Sequence, residues 1–378
     1  MDFTITREQK EFRQEVIDFA RENLNDSRYY EEFSMEMWKK VSDFGLLGIT
    51  VDEEYGGLSE SYETAAIVFE ALGYGCMNNG FIFVINNHIW VAQNLIFLYG
   101  TKILKDKYLH QMVAGTRIGS IAITEAESGS DAFSMTTTVV EQEDCYLLNG
   151  TKMFISNGPI SDIFIVFAVT QKEPVKFSAF VVERQYDGVT TGKNIEKMGL
   201  GACPTSELIL NNVRIPKENL LGNFNGGGNI MMGALEWERC FEFAPHIGVM
   251  QRVMEECIRQ VNGRKQFGKP IGENQAVSHK IAEMEVAIEM ARMMLYQIAW
   301  LKDQKKSAYL QTSVFKLFVS ENYIKTCRDA LQIFGAYGYS KEYNLEREMR
   351  DALASSIHSG TNEMQKNTIY SMVNARCL

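Results

Sequence analysis

Apolar residues recur at helical spacing in the first third of the chain, which predicts a helical N-terminal region. Thr6-Arg7-Glu8-Gln9 has the form of a capping box, the pairing that opens many helices. Phe12, Val16 and Phe19 then follow at helical spacing. Further helices are predicted over Ser34 to Phe44, Tyr62 to Leu72, the apolar stretch from Gly80 to Gly100, and a short segment that stops near Gly115.

The apolar stretch from Gly80 to Gly100 is about as long as a membrane-spanning helix. Its composition argues against that role, because a membrane span tolerates few polar side chains. We therefore predict a buried helix of a folded protein. The polar residues that interrupt the stretch are Asn86, Asn87, His88, Gln93 and Asn94.

The pattern changes near Ile118, where short β-branched and aromatic runs replace the helical spacing. These strand-like runs continue to about Asn225, and no helical pattern separates them. Strands without intervening helices predict an antiparallel sheet or a small barrel, not a doubly wound dinucleotide-binding fold. The expected turns are Asn149-Gly150, Asn157-Gly158-Pro159 and Asn211-Asn212.

From Asn229 onward the chain is helical again, with an unbroken 4-3-4-3-4-3 repeat of apolar residues that predicts a bundle seam. The fold class is therefore α+β. It comprises an N-terminal helical domain (1–117), a central antiparallel β-domain (118–228) and a C-terminal four-helix bundle (229–378). The seam residues are Val277, Ile281, Met284, Ile288, Ala291, Leu295 and Ile298, and similar helices are expected over Ile230–Arg264, Ser307–Gly335 and Thr361–Val373.

Composition narrows the class of protein. The 378 residues are 46% apolar and 23% charged, as in ordinary globular proteins, and the net charge of −10 argues against nucleic-acid or anionic-membrane partners. No N-terminal signal is visible, and the seven scattered cysteines are typical of reduced thiols in a cytoplasmic protein. The five histidines are isolated, so no metal site is predicted.

Candidate chemistry begins at Ala234-Leu235-Glu236-Trp237-Glu238-Arg239, which opens the C-terminal helical half. A carboxylate beside apolar residues can act as a general base with a raised pKa. Glu236 and Glu238 are equally understandable as solvated first-turn residues favoured by the helix dipole. The local sequence leaves both interpretations open.

Three other segments have the composition of ligand-binding loops. The segment 124–131 offers hydroxyl and backbone donors, although an ordinary capped turn has the same composition. The segment 149–158 is predicted to be a hairpin with Phe154 and Ser156 on one face, suited to a flat heterocycle or simply half-buried. Arg264 either binds a phosphate or neutralises a helix C-terminus.

Taken together, these segments resemble the acyl-CoA dehydrogenase family along essentially the whole chain. The order and spacing of the motifs carry the resemblance. They are Thr124-Glu125, Ser128-Gly129-Ser130-Asp131, Asn149-Gly150, Lys152, Ile155-Ser156-Asn157-Gly158, Arg264-Lys265-Gln266-Phe267-Gly268-Lys269, Gln275, Gln332-Ile333-Phe334-Gly335, Gly338-Tyr339, Arg350-Asp351 and Gly360-Thr361.

The resemblance implies FAD as cofactor and a homotetramer or dimer. It implies an isoalloxazine site at Ile123, Thr124, Phe154 and Ser156, with Thr361 and Glu363 also contacting the flavin. Ser130 would lie near the flavin and the substrate thioester. The FAD pyrophosphate and adenosine would be held, largely from a neighbouring subunit, by Arg264, Phe267, Gln275, Gln332 and Gly335.

The resemblance also bears on the catalytic base. Most members carry it as the glutamate directly before Gly-Thr, where this chain has Ser359. The isovaleryl-CoA and long-chain branches instead carry it directly before the arginine of the helix that opens the C-terminal half, and Glu238 falls on that position. Glu238 is therefore expected to be the base, with Glu236, Arg239, Ser359 and Gly360 beside the substrate.

The expected reaction is α,β-dehydrogenation of an acyl-CoA, with Glu238 taking the α-proton and the flavin taking the β-hydride. A close alternative is an acyl or aminoacyl group, such as prolyl, tethered to a carrier protein. It is implied by a resemblance to carrier-directed family members at Glu236-Trp237-Glu238-Arg239, Cys203-Pro204 and Ser359-Gly360-Thr361-Asn362. A basic rim of Lys102, Lys105 and Lys107 would favour it, although a solvated helix face has the same composition. A nitroalkane-oxidase-like oxidase and a catalytically retired flavin protein are further alternatives. The electron acceptor would be an electron-transfer flavoprotein or oxygen.

Overall fold

The computed structural model describes residues 4–377, and helices occupy its N-terminal region. The predicted capping box is present: Gln9 N donates to Thr6 Oγ1 at 3.1 Å, and Thr6 N donates to Gln9 Oε1 at 3.0 Å. The α-helices of this region are α1 Arg7–Asn23, α2 Met35–Asp43, α3 Tyr62–Gly75, α4 Asn79–His88, α5 Asn94–Tyr99 and α6 Lys102–Val113.

The most apolar segment, Asn79–Tyr99, lies inside the protein. It is long and apolar enough to cross a membrane, but 89% of its apolar window is buried in the fold. A π-helical turn, Ile89–Gln93, joins α4 to α5. Its polar residues find partners inside: His88 Nε2 lies 3.0 Å from Met112 O, and Gln93 donates to Leu47 O at 2.7 Å. The prediction of a buried helix is confirmed.

An eight-stranded sheet follows, in the order β6-β7-β3-β2-β4-β5-β8 with β1 paired to β4. Neighbouring strands are antiparallel except that β1 and β2 run parallel to β4. The predicted antiparallel β-domain is present, and it differs from the prediction only in the parallel pairs β1–β4 and β2–β4. The strands are β1 Gly119–Ala122, β2 Thr138–Glu141, β3 Cys145–Ser156, β4 Ile163–Lys172, β5 Val175–Glu183, β6 Val189–Thr191, β7 Thr205–Pro216 and β8 Leu220–Leu221.

Two of the three predicted turns are not turns. Asn149-Gly150 and Asn211-Asn212 lie inside β3 and β7, where the register shifts by one residue. Asn212 has φ 52°, and its N–H donates to Asn149 Oδ1 at 2.8 Å. A bulge uses the same left-handed, side-chain-bonded conformations that Asn and Gly give to turns, so the local signal is shared. The predicted hairpin at 149–158 is instead the second half of β3.

The C-terminal region is helical, and its seam is confirmed. Met284, Ile288, Ala291, Leu295 and Ile298 are buried, while Val277 and Ile281 pack partly buried against the same core. The helices are α7 Gly227–Trp237, α8 Ala244–Gly263, α9 Gln275–Asp303, α10 Tyr309–Phe334, α11 Ala336–Tyr339, α12 Leu345–Ala354 and α13 Asn362–Cys377, and the short strands β9 Lys265–Gln266 and β10 Lys269–Pro270 form a hairpin after α8.

Helices α3 and α8 cross so closely that two glycines are required. A Cβ on Gly73 would lie 1.9 Å from Pro245 O, and one on Gly248 would lie 2.0 Å from Glu70 O. Both contacts are with backbone atoms, which cannot move aside as a flexible side chain can. The crossing joins the N-terminal and C-terminal helices into one apolar core.

Gly248→Ala is expected to lower the free energy of unfolding by about 1 to 3 kcal/mol, because the added methyl group forces the two helices apart. Urea denaturation followed by circular dichroism measures this change. Gly263→Ala, at the end of the same helix with no atom within 4 Å of its Cβ, is the matched control and should stay within about 1 kcal/mol of wild type. Equal stability of the two variants would contradict the close-crossing explanation.

Candidate active site

The C-terminal helical half begins with a π-helical turn, Glu238–Glu242, between α7 and α8. It faces the loop between α12 and α13, where Ser359 and Gly360 both have left-handed backbone, with φ 60° and 83°. A Cβ on Gly360 would lie 3.0 Å from Gln365 Nε2 and 3.5 Å from Arg239 Nη2, so the loop packs tightly on its surroundings. π-turns of this kind are frequent at functional sites.

The Ser359 hydroxyl lies at the centre of a polar cluster. Its Oγ is 2.8 Å from Glu238 Oε1 and 2.8 Å from Glu242 Oε2. His358 Nδ1 is 3.0 Å from the same Oγ and 3.3 Å from Glu242 Oε2. Arg239 fixes the loop, because its Nε donates to Ser359 O at 3.2 Å while its Nη1 donates to Ser313 Oγ at 3.3 Å.

Both carboxyl groups of this cluster are unusually basic. Burial raises the pKa of Glu238, and the neighbouring charge of Glu242 raises it further. Burial also raises the pKa of Glu242, which is 1% exposed. Burial lowers the pKa of His358 to about 3, so its imidazole is neutral. A carboxylate with a raised pKa can take a proton from carbon near neutral pH.

Glu236 lies apart from this cluster. Its Oε1 is 2.5 Å from Lys302 Nζ, in a buried ion pair that joins α7 to the end of α9, and accepts from Ala308 N, directly before α10, at 2.5 Å. Glu236 and Glu238 are two residues apart, which places their side chains on different sides of the helix. These contacts argue against the substrate role expected for Glu236 and give it a structural one.

The β-domain contributes a second group of predicted site residues. Phe154 is 60% exposed and has φ 56°, at a bulge that turns its ring outward from β3. Among residues 4–377, the hydroxyls of Thr124 and Ser156 have no hydrogen-bond partner. An exposed aromatic ring beside free hydroxyl groups suits a flat heterocycle with polar edges, so these residues fit an isoalloxazine ring.

A buried ion pair holds this group in place. Lys152 Nζ is 2.9 Å from Glu125 Oε1 and donates to Ile123 O at 3.0 Å, and the Lys152 side chain is fully buried. Burial alone would raise the pKa of Glu125, but hydrogen bonds from Thr136, Thr137 and Lys152 outweigh it and hold the pKa at about 2. The pair therefore anchors the backbone at Ile123 and Thr124.

Helix α4 connects the two groups. Asn157, directly after Ser156, donates to Val84 O on α4 at 3.0 Å. Near that point on α4, the Phe83 ring lies 4.9 Å from the His358 ring, and Asn87 donates to Glu242 Oε1 at 3.3 Å. The structure thus brings the predicted flavin-site residues at the end of β3 and the carboxylate cluster to the same helix.

The remaining predicted residues occupy two other places. Ser130 is exposed on the loop after β1, Thr361 caps α13 by accepting from Met364 N at 3.3 Å, and Glu363 is exposed on the first turn of α13. A larger set is exposed at the far end of the C-terminal bundle: Arg264, Phe267, Gln275, Gln332 and Gly335.

That far end is well separated from Glu238. The ion pair between Lys280 and Asp329, at 2.5 Å, shows that the start of α9 and the end of α10 lie together there. Helix α8 has 20 residues and is therefore about 30 Å long. Glu238, in the π-helical turn before α8, and Arg264, directly after α8, therefore lie near opposite ends of that helix.

Sequence reasoning missed two members of the cluster, Glu242 and His358. The five histidines were treated as isolated, which is wrong for His358. One of its ring nitrogens and a carboxylate oxygen of each of Glu238 and Glu242 all lie within 4.8 Å of one another. The available signals were the four-residue spacing of the two glutamates and the adjacency of His358 to Ser359. Two of the three candidate lysines for a basic rim are paired with carboxylates: Lys102 with Asp106 at 2.7 Å and Lys107 with Glu183 at 3.0 Å.

Sequence models of three domains match successive parts of the chain. The acyl-CoA dehydrogenase N-terminal domain matches residues 6–116, the middle domain matches residues 120–213 and the C-terminal domain matches residues 225–373. The three matches follow the order of the helical, sheet and helical regions described above.

Individual proteins are similar over the full length. An acyl-CoA dehydrogenase of Bacillus subtilis (strain 168) is 37% identical over 368 residues, 96% of this chain and 97% of its own. An L-prolyl peptidyl-carrier-protein dehydrogenase of Pseudomonas fluorescens is 35% identical over 377 residues, 98% of each chain. The solved structure of PigA with FAD and proline is 33% identical, covers 100% of both chains and has a TM-score of 0.96.

Proposed function

The chain belongs to the acyl-CoA dehydrogenase family, and from this premise we propose that it oxidises the Cα–Cβ bond of an acyl thioester, with Glu238 as the base. It is an FAD-dependent oxidoreductase with the fold of a soluble enzyme. The observation that carries the proposal is the Glu238 carboxylate, which has a raised pKa, remains partly accessible and hydrogen bonds to Ser359 at 2.8 Å.

The residues divide the work as follows. Glu238 takes the α-proton, which is only weakly acidic and therefore needs a strong, well-placed base. Ser359 occupies the position at which most family members carry the base. Its hydroxyl cannot act as that base, but it donates a hydrogen bond that orients the Glu238 carboxylate. Arg239 holds the Ser359 carbonyl and lies with its guanidinium 5.2 Å from the Tyr309 ring, which fixes the loop opposite the base.

The β-domain residues would hold the cofactor. When bound, FAD supplies a hydride acceptor for the β-hydrogen. Phe154 would cover one part of the ring, while Thr124 and Ser156 would donate hydrogen bonds to its polar edge. Their free hydroxyls and exposed aromatic ring support this assignment.

We also propose that one cofactor contacts two copies of the chain. One group of predicted FAD-binding residues lies about 30 Å along α8 from Glu238: Arg264, Phe267, Gln275, Gln332 and Gly335. This group and the flavin-site residues of the β-domain can therefore reach a common cofactor only if they come from different subunits. Phe267, at the tip of the β9–β10 hairpin, is fully exposed in a single chain, as an intersubunit contact would require. A homotetramer or dimer is therefore expected.

The carrier-tethered substrate is a second candidate. The 35% identical Pseudomonas fluorescens relative that acts on a prolyl group bound to a peptidyl carrier protein supports it. Lys102 and Lys107 form ion pairs with carboxylates of the same chain, so they do not support a basic surface for an acidic carrier protein. We place the enzyme in the cytoplasm, because the six cysteines whose state the structure describes are buried free thiols.

One experiment tests the proposal and separates its two forms. The FAD-loaded protein is mixed without oxygen with a panel of acyl-CoAs and with acyl and prolyl carrier proteins, and flavin absorbance is followed. Bleaching by acyl-CoAs is expected for the first form, and bleaching by carrier-bound groups alone would establish the second. Absence of bleaching by any thioester would contradict the proposed activity. Reoxidation by air or by an added electron-transfer flavoprotein then identifies the acceptor.

A further inference from the structure

The cluster around Ser359 has fewer protons than its contacts require. A serine hydroxyl has one proton to donate and can accept through its lone pairs. Ser359 Oγ nevertheless lies 2.8 Å from an oxygen of each of two carboxyl groups, on Glu238 and Glu242. If both were ionised, one carboxylate oxygen would face the serine lone pairs with no hydrogen between them. Because the His358 imidazole, 3.0 Å from the same Oγ, is neutral, a proton on one of the two carboxyl groups would complete these contacts by donation to Ser359.

We propose that Glu238 and Glu242 share one proton through the Ser359 hydroxyl, and that Glu242 holds this proton whenever Glu238 acts as the base. Glu242 is then a positioning residue that acts through Ser359 on Glu238. This inference rests on the proposed role of Glu238 in the reaction. It assigns a function to a carboxyl group that no step of the reaction otherwise uses.

Transfer of the shared proton is balanced within the cluster. The carboxylic acid of Glu238 donates its proton to Ser359 Oγ while the Ser359 hydroxyl donates its own proton to Glu242. One O–H bond forms and one breaks at Ser359, Glu238 becomes a carboxylate, and Glu242 becomes a carboxylic acid. No oxidant, reductant or second reactant is needed.

The burial of the two groups suits this division of roles. Glu242 is 1% exposed, whereas Glu238 is partly accessible. Asn87 donates to Glu242 Oε1 at 3.3 Å, which leaves Oε2 for Ser359. Two like charges held this close in a buried site disfavour double ionisation, as in other carboxyl pairs that retain one proton.

The surrounding charges are few. Lys316 on α10 is the cation that lowers the pKa of Glu242, and its own pKa is lowered to about 8 by burial. Its Nζ donates to Asn362 Oδ1 at 2.8 Å. Arg239 is engaged by the Ser359 carbonyl and Ser313. The nearby imidazoles of His358 and His246 have pKa values lowered by burial to about 3 and are neutral.

The infrared spectrum of the resting holoenzyme at neutral pH tests the shared proton directly, because carboxylic acids and carboxylates absorb at different frequencies. Wild type is expected to show a protonated carboxyl group that disappears in Glu242→Gln, whose amide can donate to Ser359 in its place. Glu238→Gln is expected to lose the same signal, because Glu242 can then ionise and accept from Ser359. Glu255→Gln, on α8 and bonded to Tyr74 at 2.7 Å, is the matched control and should leave it unchanged.

The proposal would be overturned if the two carboxyl groups titrated independently. In that case Glu242→Gln and Glu238→Gln would each retain the infrared signal of the remaining protonated carboxyl group. The pH dependence of flavin reduction gives a second readout. Ser359→Gly keeps the left-handed backbone at φ 60° but removes the hydroxyl that lowers the pKa of Glu238. Its rate profile should move to higher pH, and an unmoved profile would also overturn the relay.

These outcomes are separable from failure of the proposed function. The infrared signal needs no substrate, so it reports the pair even if thioesters do not react. Glu242→Gln is expected to move the pH profile of flavin reduction to lower pH, because the charge of Glu242 no longer raises the pKa of Glu238. If Glu238→Gln still reduced flavin at the wild-type rate, the role of Glu238 would fail while the infrared result stood on its own.

Discussion

Glu238→Gln is expected to slow flavin reduction by an acyl thioester by roughly 10²- to 10⁴-fold, the usual contribution of a positioned general base. The amide has the shape of the carboxyl group and can still hydrogen bond to Ser359, but it cannot accept the α-proton. FAD should remain bound, because the proposed flavin contacts lie on the β-domain and on α13. Single-turnover absorbance measurements without oxygen give the rate.

Glu236→Gln is the matched control for this result. It makes the same chemical change two residues away, in the buried pair with Lys302 rather than beside Ser359. It should lower stability while leaving flavin reduction close to the wild-type rate. A Glu238→Gln enzyme that bleaches as fast as wild type would contradict the assignment of the base.

Lys152→Met is expected to lower the free energy of unfolding by about 3 to 5 kcal/mol, because it leaves the buried Glu125 carboxylate without its cation. The same change removes the hydrogen bond to Ile123 O, so FAD affinity should fall as well. Lys217→Met, directly after β7 of the same sheet, is the control. Its partner Glu141 is exposed, and the loss should be about 1 kcal/mol or less.

The pH dependence of this variant follows from Glu125. The folded-state pKa of about 2 lies below the ordinary value of 4.5, so the carboxylate adds stability above that value and loses it as the pH falls towards 2. Without Lys152 the folded-state pKa should be less depressed. The stability deficit of Lys152→Met is therefore expected to narrow as the pH falls from 4.5. A deficit of constant size across this range would contradict the ion-pair explanation.

The regular elements were predictable because their signals are local. Helical spacing identified α1, α9 and the buried segment at 79–99, and β-branched runs located the sheet. The bulge at Gly150 and Asn212 was not predictable, because turns and bulges use the same residues and the pairing of β3 with β7 decides between them. Helix α12 was missed because its ten residues include buried charged groups, Glu348 and Asp351 among them, in place of an apolar stripe.

The candidate site was predictable only in part for a related reason. The local sequence allowed Glu238 to be either a solvated carboxylate or a base. The family resemblance favoured the base only because the usual base position holds Ser359, which is 121 residues away. Glu242 and His358 were missed because their significance comes from shared contacts with one hydroxyl group. No periodicity encodes such a contact. The structural role of Glu236 was equally hidden, since Lys302 lies 66 residues further along the chain.

The close crossing of α3 and α8 at Gly73 and Gly248 also affects how the chain folds during its synthesis on the ribosome. The apolar faces of α1 and α3 complete their packing only when α8 and α9 are present, because the four helices share one core. A ribosome releases the sheet, which has a core of its own, before it releases these partners. A nascent chain that has not yet reached Gly263 therefore presents an uncovered helical face to the cell, and this is the stage at which assistance from a chaperone would matter most.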